Sequence, residues 1–88
     1  MPKAIMYTTA FCPYCVQAER LLRQQGLAVE KIPVDKHPEQ LQHMIASTRR
    51  RTVPQIFIEG HHIGGFTELS EFIRSGRLSA LLEPDENL

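Results

Sequence analysis

Several ordinary ingredients are scarce or missing in this chain of 88 residues, and each absence narrows its function. There is no tryptophan, and aromatic residues make up only 7% of the chain. Neither sign of charge dominates: ten Lys and Arg balance ten Asp and Glu. A balanced chain sets up no field to draw in nucleic acid or an anionic membrane, so neither is expected as a partner. No apolar run approaches the roughly 18 residues of a membrane span. The start, Met1-Pro2-Lys3, leads straight into a short apolar run without the body of a signal peptide, which makes a cytoplasmic location the expectation. At this length one domain is expected over residues 1–88, with 83–88 as a frayed acidic tail.

Cysteine is also scarce, and here the scarcity is informative. The chain has two, Cys12 and Cys15, both within Phe11-Cys12-Pro13-Tyr14-Cys15. A structural disulfide stabilises by closing a loop, and the effect grows with loop length. Two intervening residues close almost the smallest loop there is, so the spacing points to redox chemistry or to metal.

The flanking pattern places the pair. Ala4-Ile5-Met6-Tyr7 reads as a buried strand, and Pro13 suits the first position of a helix, where its missing N–H costs nothing. Cys15, Val16, Ala18, Leu21 and Leu22 make an apolar stripe at helical spacing, and Gly26 fits the position just past the helix end. Val29 to Val34 reads as a second strand, with Pro33 marking a sheet edge or an early finish. Strand, helix and strand in succession form a parallel βαβ unit. Leu41, Met44 and Ile45 give a second helix, and the polar, basic stretch Ser47 to Arg51 reads as a loop. Gln55-Ile56-Phe57-Ile58 and His61-His62-Ile63-Gly64, joined by Glu59-Gly60, form a hairpin. A third helix follows, carrying Leu69, Phe72 and Ile73 and capped by Phe66 or Thr67; a short last helix carries Leu78, Leu81 and Leu82. The expected fold class is α/β in the order βαβαββαα: one mixed four-stranded sheet with helices on both faces.

In this arrangement Cys12 stands at a helix N-terminus. Unpaired backbone N–H groups there favour a thiolate over a neutral thiol. Cys15, one turn on and on the apolar face, stays a buried thiol. The asymmetry assigns attack to Cys12 and resolution of the mixed disulfide to Cys15. Two more stretches belong with the pair. Thr52-Val53-Pro54 precedes a strong strand, and a cis bond before Pro54 would turn the Val53 backbone outward as an edge for a peptide. Gly64-Gly65-Phe66-Thr67-Glu68 combines a close-approach backbone with a helix start that suits a carboxylate.

Cys12-Pro13-Tyr14-Cys15, Thr52-Val53-Pro54 and Gly64-Gly65 resemble, in order and spacing, the three signature elements of the glutaredoxins of the dithiol class, and the resemblance runs from about Lys3 to Leu82. It implies a thioredoxin fold and glutathione-dependent reduction of protein disulfides and of protein–glutathione mixed disulfides. By that resemblance Cys12 and Cys15 are catalytic, and Tyr14, Thr52, Val53, Pro54, Gly65, Phe66 and Thr67 bind glutathione. The tripeptide pairs its backbone with Val53 and lodges its γ-glutamyl carboxylate at the Phe66 and Thr67 amides. Arg50 or Arg51 faces the glycyl carboxylate. The resemblance implies a co-substrate and no tightly bound cofactor or metal. The partners implied are glutathione and disulfide-containing or glutathionylated proteins, met by a monomer.

The chain departs from the family pattern twice. Thr8-Thr9-Ala10 stand where many relatives place a thiolate-supporting lysine. Phe66-Thr67-Glu68 replaces Cys-Asp-Asp or Cys-Ser-Asp, which makes Glu68 a candidate partner for the glutathione amino group. Other readings of the cysteine pair stay open at this point. One is a zinc site completed by His61 and His62, although adjacent strand residues face opposite ways. Another is an iron–sulfur cluster held across a dimer by Cys12 and glutathione. A third is a redox partner dedicated to a reductase.

Overall fold

The computed structural model describes residues 2–83, so all of the expected tail except Glu83 lies outside the described residues. Eight elements follow one another: β1 (Lys3–Thr8), α1 (Pro13–Gln24), β2 (Ala28–Pro33), α2 (Pro38–Thr48), β3 (Gln55–Ile58), β4 (His61–Gly64), α3 (Phe66–Arg74) and α4 (Arg77–Leu82). The order is the βαβαββαα expected from periodicity. The strands form one sheet in the order β2-β1-β3-β4. β1 and β2 run parallel, while β3 is antiparallel to β1 and β4 antiparallel to β3. β2 is therefore an edge strand, which tolerates Pro33 without the loss of a needed ladder bond.

Alternation along β1 explains how both faces of the sheet are covered. Ala4 and Met6 point to one face, where they pack with Ala18 and Leu22 of α1, Leu69 of α3, Leu78 of α4, and Ile56 and Ile58 of β3. Tyr7, with Ile5 beside it, points to the other face and meets Val34, Met44 of α2 and Phe57. Met6, Leu22, Met44, Ile56, Ile58 and Leu69 are all fully buried. At about 1.5–3 kcal/mol for each large apolar side chain, these few residues carry much of the driving force in a chain this short.

β2 is shifted by one residue against the expected Val29 to Val34, and two further boundaries differ more. α2 runs on through Ser47 and Thr48, which were expected in a loop. Their hydroxyls bond back to the carbonyls of His43 and Met44, so polar residues that would favour a loop instead complete the helical turn. The helix stops at Arg49, which takes a left-handed conformation with φ 62°. The cap of α3 is Gly65, not Phe66 or Thr67, and Phe66 is the first helical residue. Glu68, three residues on, supplies the missing side-chain acceptor: its Oε1 takes the Gly65 N–H at 2.7 Å.

Candidate active site

The site assembles where β1 hands the chain to α1. Cys12 is the N-cap of α1, with extended backbone (φ −130°, ψ 101°), and Pro13 opens the first turn. An N-cap side chain normally offers an oxygen to the N–H groups of the first turn. Here the sulfur does this work: Cys12 Sγ accepts the Cys15 N–H at 3.2 Å. The sulfur thus stands at the open end of the helix, within reach of the backbone N–H groups of its first turn. Cys12 is partly exposed and Cys15 only 3% exposed, and the two thiols are not joined. Burial is the first cause that pushes the Cys15 thiol up, to about 11, with the hydrogen bond to Cys12 adding to it. At neutral pH the inner sulfur therefore holds its proton.

The loop before β3 reaches the same place. The Val53–Pro54 peptide bond is cis, as expected, and the Val53 carbonyl oxygen lies 3.9 Å from Cys12 Sγ. A shallow groove of about 160 Å³ runs from there, lined by Tyr14, Val53, Pro54, Gly65, Phe66, Thr67 and Glu68. Six of these seven are residues that the resemblance assigned to glutathione, and the seventh, Glu68, was the candidate partner for its amino group. They come from three separate segments, brought together because α1, β3 and α3 converge at one end of the sheet. The Tyr14 ring, 60% exposed, stands 6.1 Å from the Phe66 ring. Phe66 and Thr67, as the first two residues of α3, have amides with no acceptor inside the helix.

Thr52 is the exception among the expected binding residues. It does not line the groove. Its carbonyl and hydroxyl oxygens instead accept the Gln55 amide at 3.1 and 3.3 Å. Arg50, expected opposite a ligand carboxylate, pairs with Glu68 Oε1 at 2.9 Å. Glu68 thus serves Gly65 and Arg50 at once. The Gly65 N–H, then Arg50, hold its carboxyl below the ordinary glutamate range despite some burial. The Gly65 contact has the three-residue spacing of a capping box, whereas Arg50 lies 18 residues away in sequence, so spacing alone did not reveal that pair. Beside Cys12 and Cys15 lies a larger cleft of about 380 Å³, which Lys36 lines from the loop after β2. This lysine, far from Thr8-Thr9-Ala10 in sequence, brings a cation to the cleft by folding. His62 Nε2 faces Gln55 Oε1 at 2.8 Å, and among the described residues no three His, Cys, Asp or Glu side chains come together to hold a metal.

A helix-capping thiol beside a buried thiol, bordered by a cis-proline loop at the end of a four-stranded mixed sheet, defines a dithiol oxidoreductase of the thioredoxin fold. Comparisons with known proteins narrow the class. The family model described as Glutaredoxin matches residues 4–63. The chain is 42% identical to a glutaredoxin of Pseudomonas aeruginosa, over 93% of this chain and 98% of the relative. It is 39% identical to Glutaredoxin 3 of Escherichia coli, over 94% and 100%. Among solved structures, a buckwheat glutaredoxin in complex with glutathione superposes with a TM-score of 0.82 at 30% identity, covering 92% of this chain and 76% of that one. A Brucella melitensis glutaredoxin gives 0.79 at 37% identity, covering 94% and 90%. The chain belongs to the glutaredoxin family, and its activity is glutathione-dependent thiol–disulfide exchange.

Proposed function

We propose that Cys12 is the nucleophile and Cys15 the resolving thiol, and that the groove beside Val53 receives glutathione as co-substrate. The observation that carries this assignment is the Cys12 sulfur accepting the Cys15 N–H at the open end of α1, next to that groove. With a glutathionylated protein, the Cys12 thiolate attacks the glutathionyl sulfur. The protein sulfur leaves as a thiolate and takes up a proton, leaving a Cys12–glutathione disulfide. A second glutathione thiolate then attacks the glutathionyl sulfur, which releases oxidised glutathione and restores the Cys12 thiolate. With a protein disulfide, Cys12 forms a mixed disulfide with the protein. Cys15 then loses its proton and attacks Cys12 Sγ, and the protein departs as a dithiol. The Cys12–Cys15 disulfide that remains takes two electrons from two molecules of glutathione.

In the groove, glutathione pairs its backbone with Val53, packs between Tyr14 and Pro54, and places its γ-glutamyl carboxylate at the Phe66 and Thr67 amides past Gly65. Arg51 is exposed and has no ion pair among the described residues, so it is the cation assigned to the glycyl carboxylate. The substrates are glutathionylated and disulfide-containing proteins, handled by a monomer in a reducing, cytoplasmic setting that keeps thiols reduced. The test is to incubate Cys12→Ser and Cys15→Ser proteins side by side with oxidised glutathione and follow the adduct by mass spectrometry. Cys15→Ser should take up one glutathione rapidly on Cys12, and Cys12→Ser should take up little or none on the buried Cys15. Equal or faster adduct formation in Cys12→Ser contradicts the assignment.

A further inference from the structure

One buried polar group has no part in the exchange chemistry described so far. Gln55 opens β3 directly after Pro54 and is 1% exposed. A glutamine so placed needs partners for its amide, because an unpaired polar group out of water costs about 1–3 kcal/mol. It has them on both sides. Its Nε2 donates to the Thr52 carbonyl oxygen at 3.1 Å and to Thr52 Oγ1 at 3.3 Å. Its Oε1 lies 2.8 Å from His62 Nε2. A carbonyl oxygen only accepts, so the amide nitrogen must face Thr52 and the amide oxygen must face His62. His62 Nε2 therefore carries its hydrogen and donates it. The ring itself is held by Phe57, at 5.0 Å between centroids.

The chain of contacts runs from β4 through β3 to the loop. His62 fixes the Gln55 amide, and Gln55 closes a side-chain bridge back to Thr52 beneath Val53 and Pro54. Val53 is the residue whose backbone borders Cys12 Sγ and the groove. We infer that Gln55, braced by His62, is a positioning residue that holds Thr52-Val53-Pro54 in the conformation that pairs with the glutathione backbone. The inference rests on the proposed pairing at Val53. It also explains why Thr52 turns away from the groove: its oxygens are the anchor points of the bridge.

The two oxygens of Thr52 sit on an exposed residue, so water replaces Gln55 there when the bridge is removed. Gln55→Met keeps the length and bulk of the side chain and deletes both bonds to Thr52 and the one from His62. The steady-state assay uses a glutathionylated peptide with glutathione and a coupled reductase. KM for the peptide should rise about tenfold, the order expected for one or two lost hydrogen bonds, with kcat within about twofold. Alkylation of Cys12 by iodoacetamide, which makes no use of the groove, should keep its rate. A merely structural role would lower kcat and alter alkylation along with stability. His62→Ala removes only the brace, on an exposed residue, and should raise KM about threefold. It serves as the test if Gln55→Met does not fold. A glutathione titration of the wild-type protein, followed by amide NMR, reads the Val53 N–H. If that amide moves but neither variant changes KM, the inference is overturned and the groove assignment stands. If the Val53 amide does not move, both are overturned.

Discussion

Glu68 makes the sharpest energetic prediction, because one carboxylate oxygen does two jobs. Its Oε1 accepts the Gly65 N–H at 2.7 Å and the Arg50 guanidinium at 2.9 Å. Glu68→Ala removes the acceptor that caps α3, worth about 1 kcal/mol. It also removes an ion pair between half-exposed side chains, worth about 0.2–1 kcal/mol. The sum is about 1–2 kcal/mol, which in a domain of this size lowers Tm by roughly 5–15 °C. Glu68→Gln keeps an oxygen for Gly65 and loses only the charge, so its Tm should fall by less than half as much. The pH dependence follows from the sign of the shift. The folded-state carboxyl is held below its ordinary value of 4.5, chiefly by the Gly65 N–H. Its contribution is therefore full above that value and is lost as pH falls through the folded-state value. Thermal melts of the three proteins between pH 3 and pH 7 check this. Equal losses for Ala and Gln, or a wild-type advantage over Ala that persists in acid, would refute the capping account.

Three other sites give equally definite outcomes. Gly64→Ala puts a Cβ at φ +120°, 2.7 Å from Glu68 Oε1, so both stability in urea and KM for glutathionylated substrate should worsen, the former by about 1 kcal/mol or more. Leu22→Ala empties a fully buried position in the main core and should cost about 2–5 kcal/mol in urea unfolding. In a Cys12→Ala protein, burial still holds the Cys15 thiol up, so iodoacetamide should label it slowly at neutral pH and faster toward pH 11. The folded state favours the protonated form of Cys15. Its share of stability is thus present below about pH 9 and lost as pH rises through about 11.

The readable parts of the sequence were those set by local physics. The stripe from Cys15 to Leu22, with Pro13 before it and Gly26 (φ +83°) after it, fixed the extent of α1 almost to the residue. The apolar run Ala4 to Tyr7 marked a buried strand, and it lies within β1. The groove was legible because three motifs in three segments converge on it, and six of its seven lining residues were named in advance. Glu68, the seventh, was named only as a candidate partner for the ligand's amino group, and its bonds to Gly65 and Arg50 were not foreseen. What stayed hidden depends on contacts between segments or on side chains choosing among acceptors. Ser47 and Thr48 extend α2 only because their hydroxyls find the carbonyls of the preceding turn. Arg50 meets Glu68 across 18 residues of sequence, and Gln55 meets His62 across the hairpin. Lys36 reaches the cleft beside Cys12 through the loop after β2, which no spacing near the cysteines announces.

The central claim, that Cys12 alone starts the exchange and Cys15 only resolves it, is tested most directly by Cys12→Ser and Cys15→Ser proteins side by side in a glutathione-coupled assay. Cys12→Ser should be inactive toward both glutathionylated and disulfide-bonded protein substrates. Cys15→Ser should retain deglutathionylation, which needs one thiol, and lose reduction of protein disulfides. Substantial activity in Cys12→Ser, or loss of both activities in a folded Cys15→Ser protein, would contradict the account.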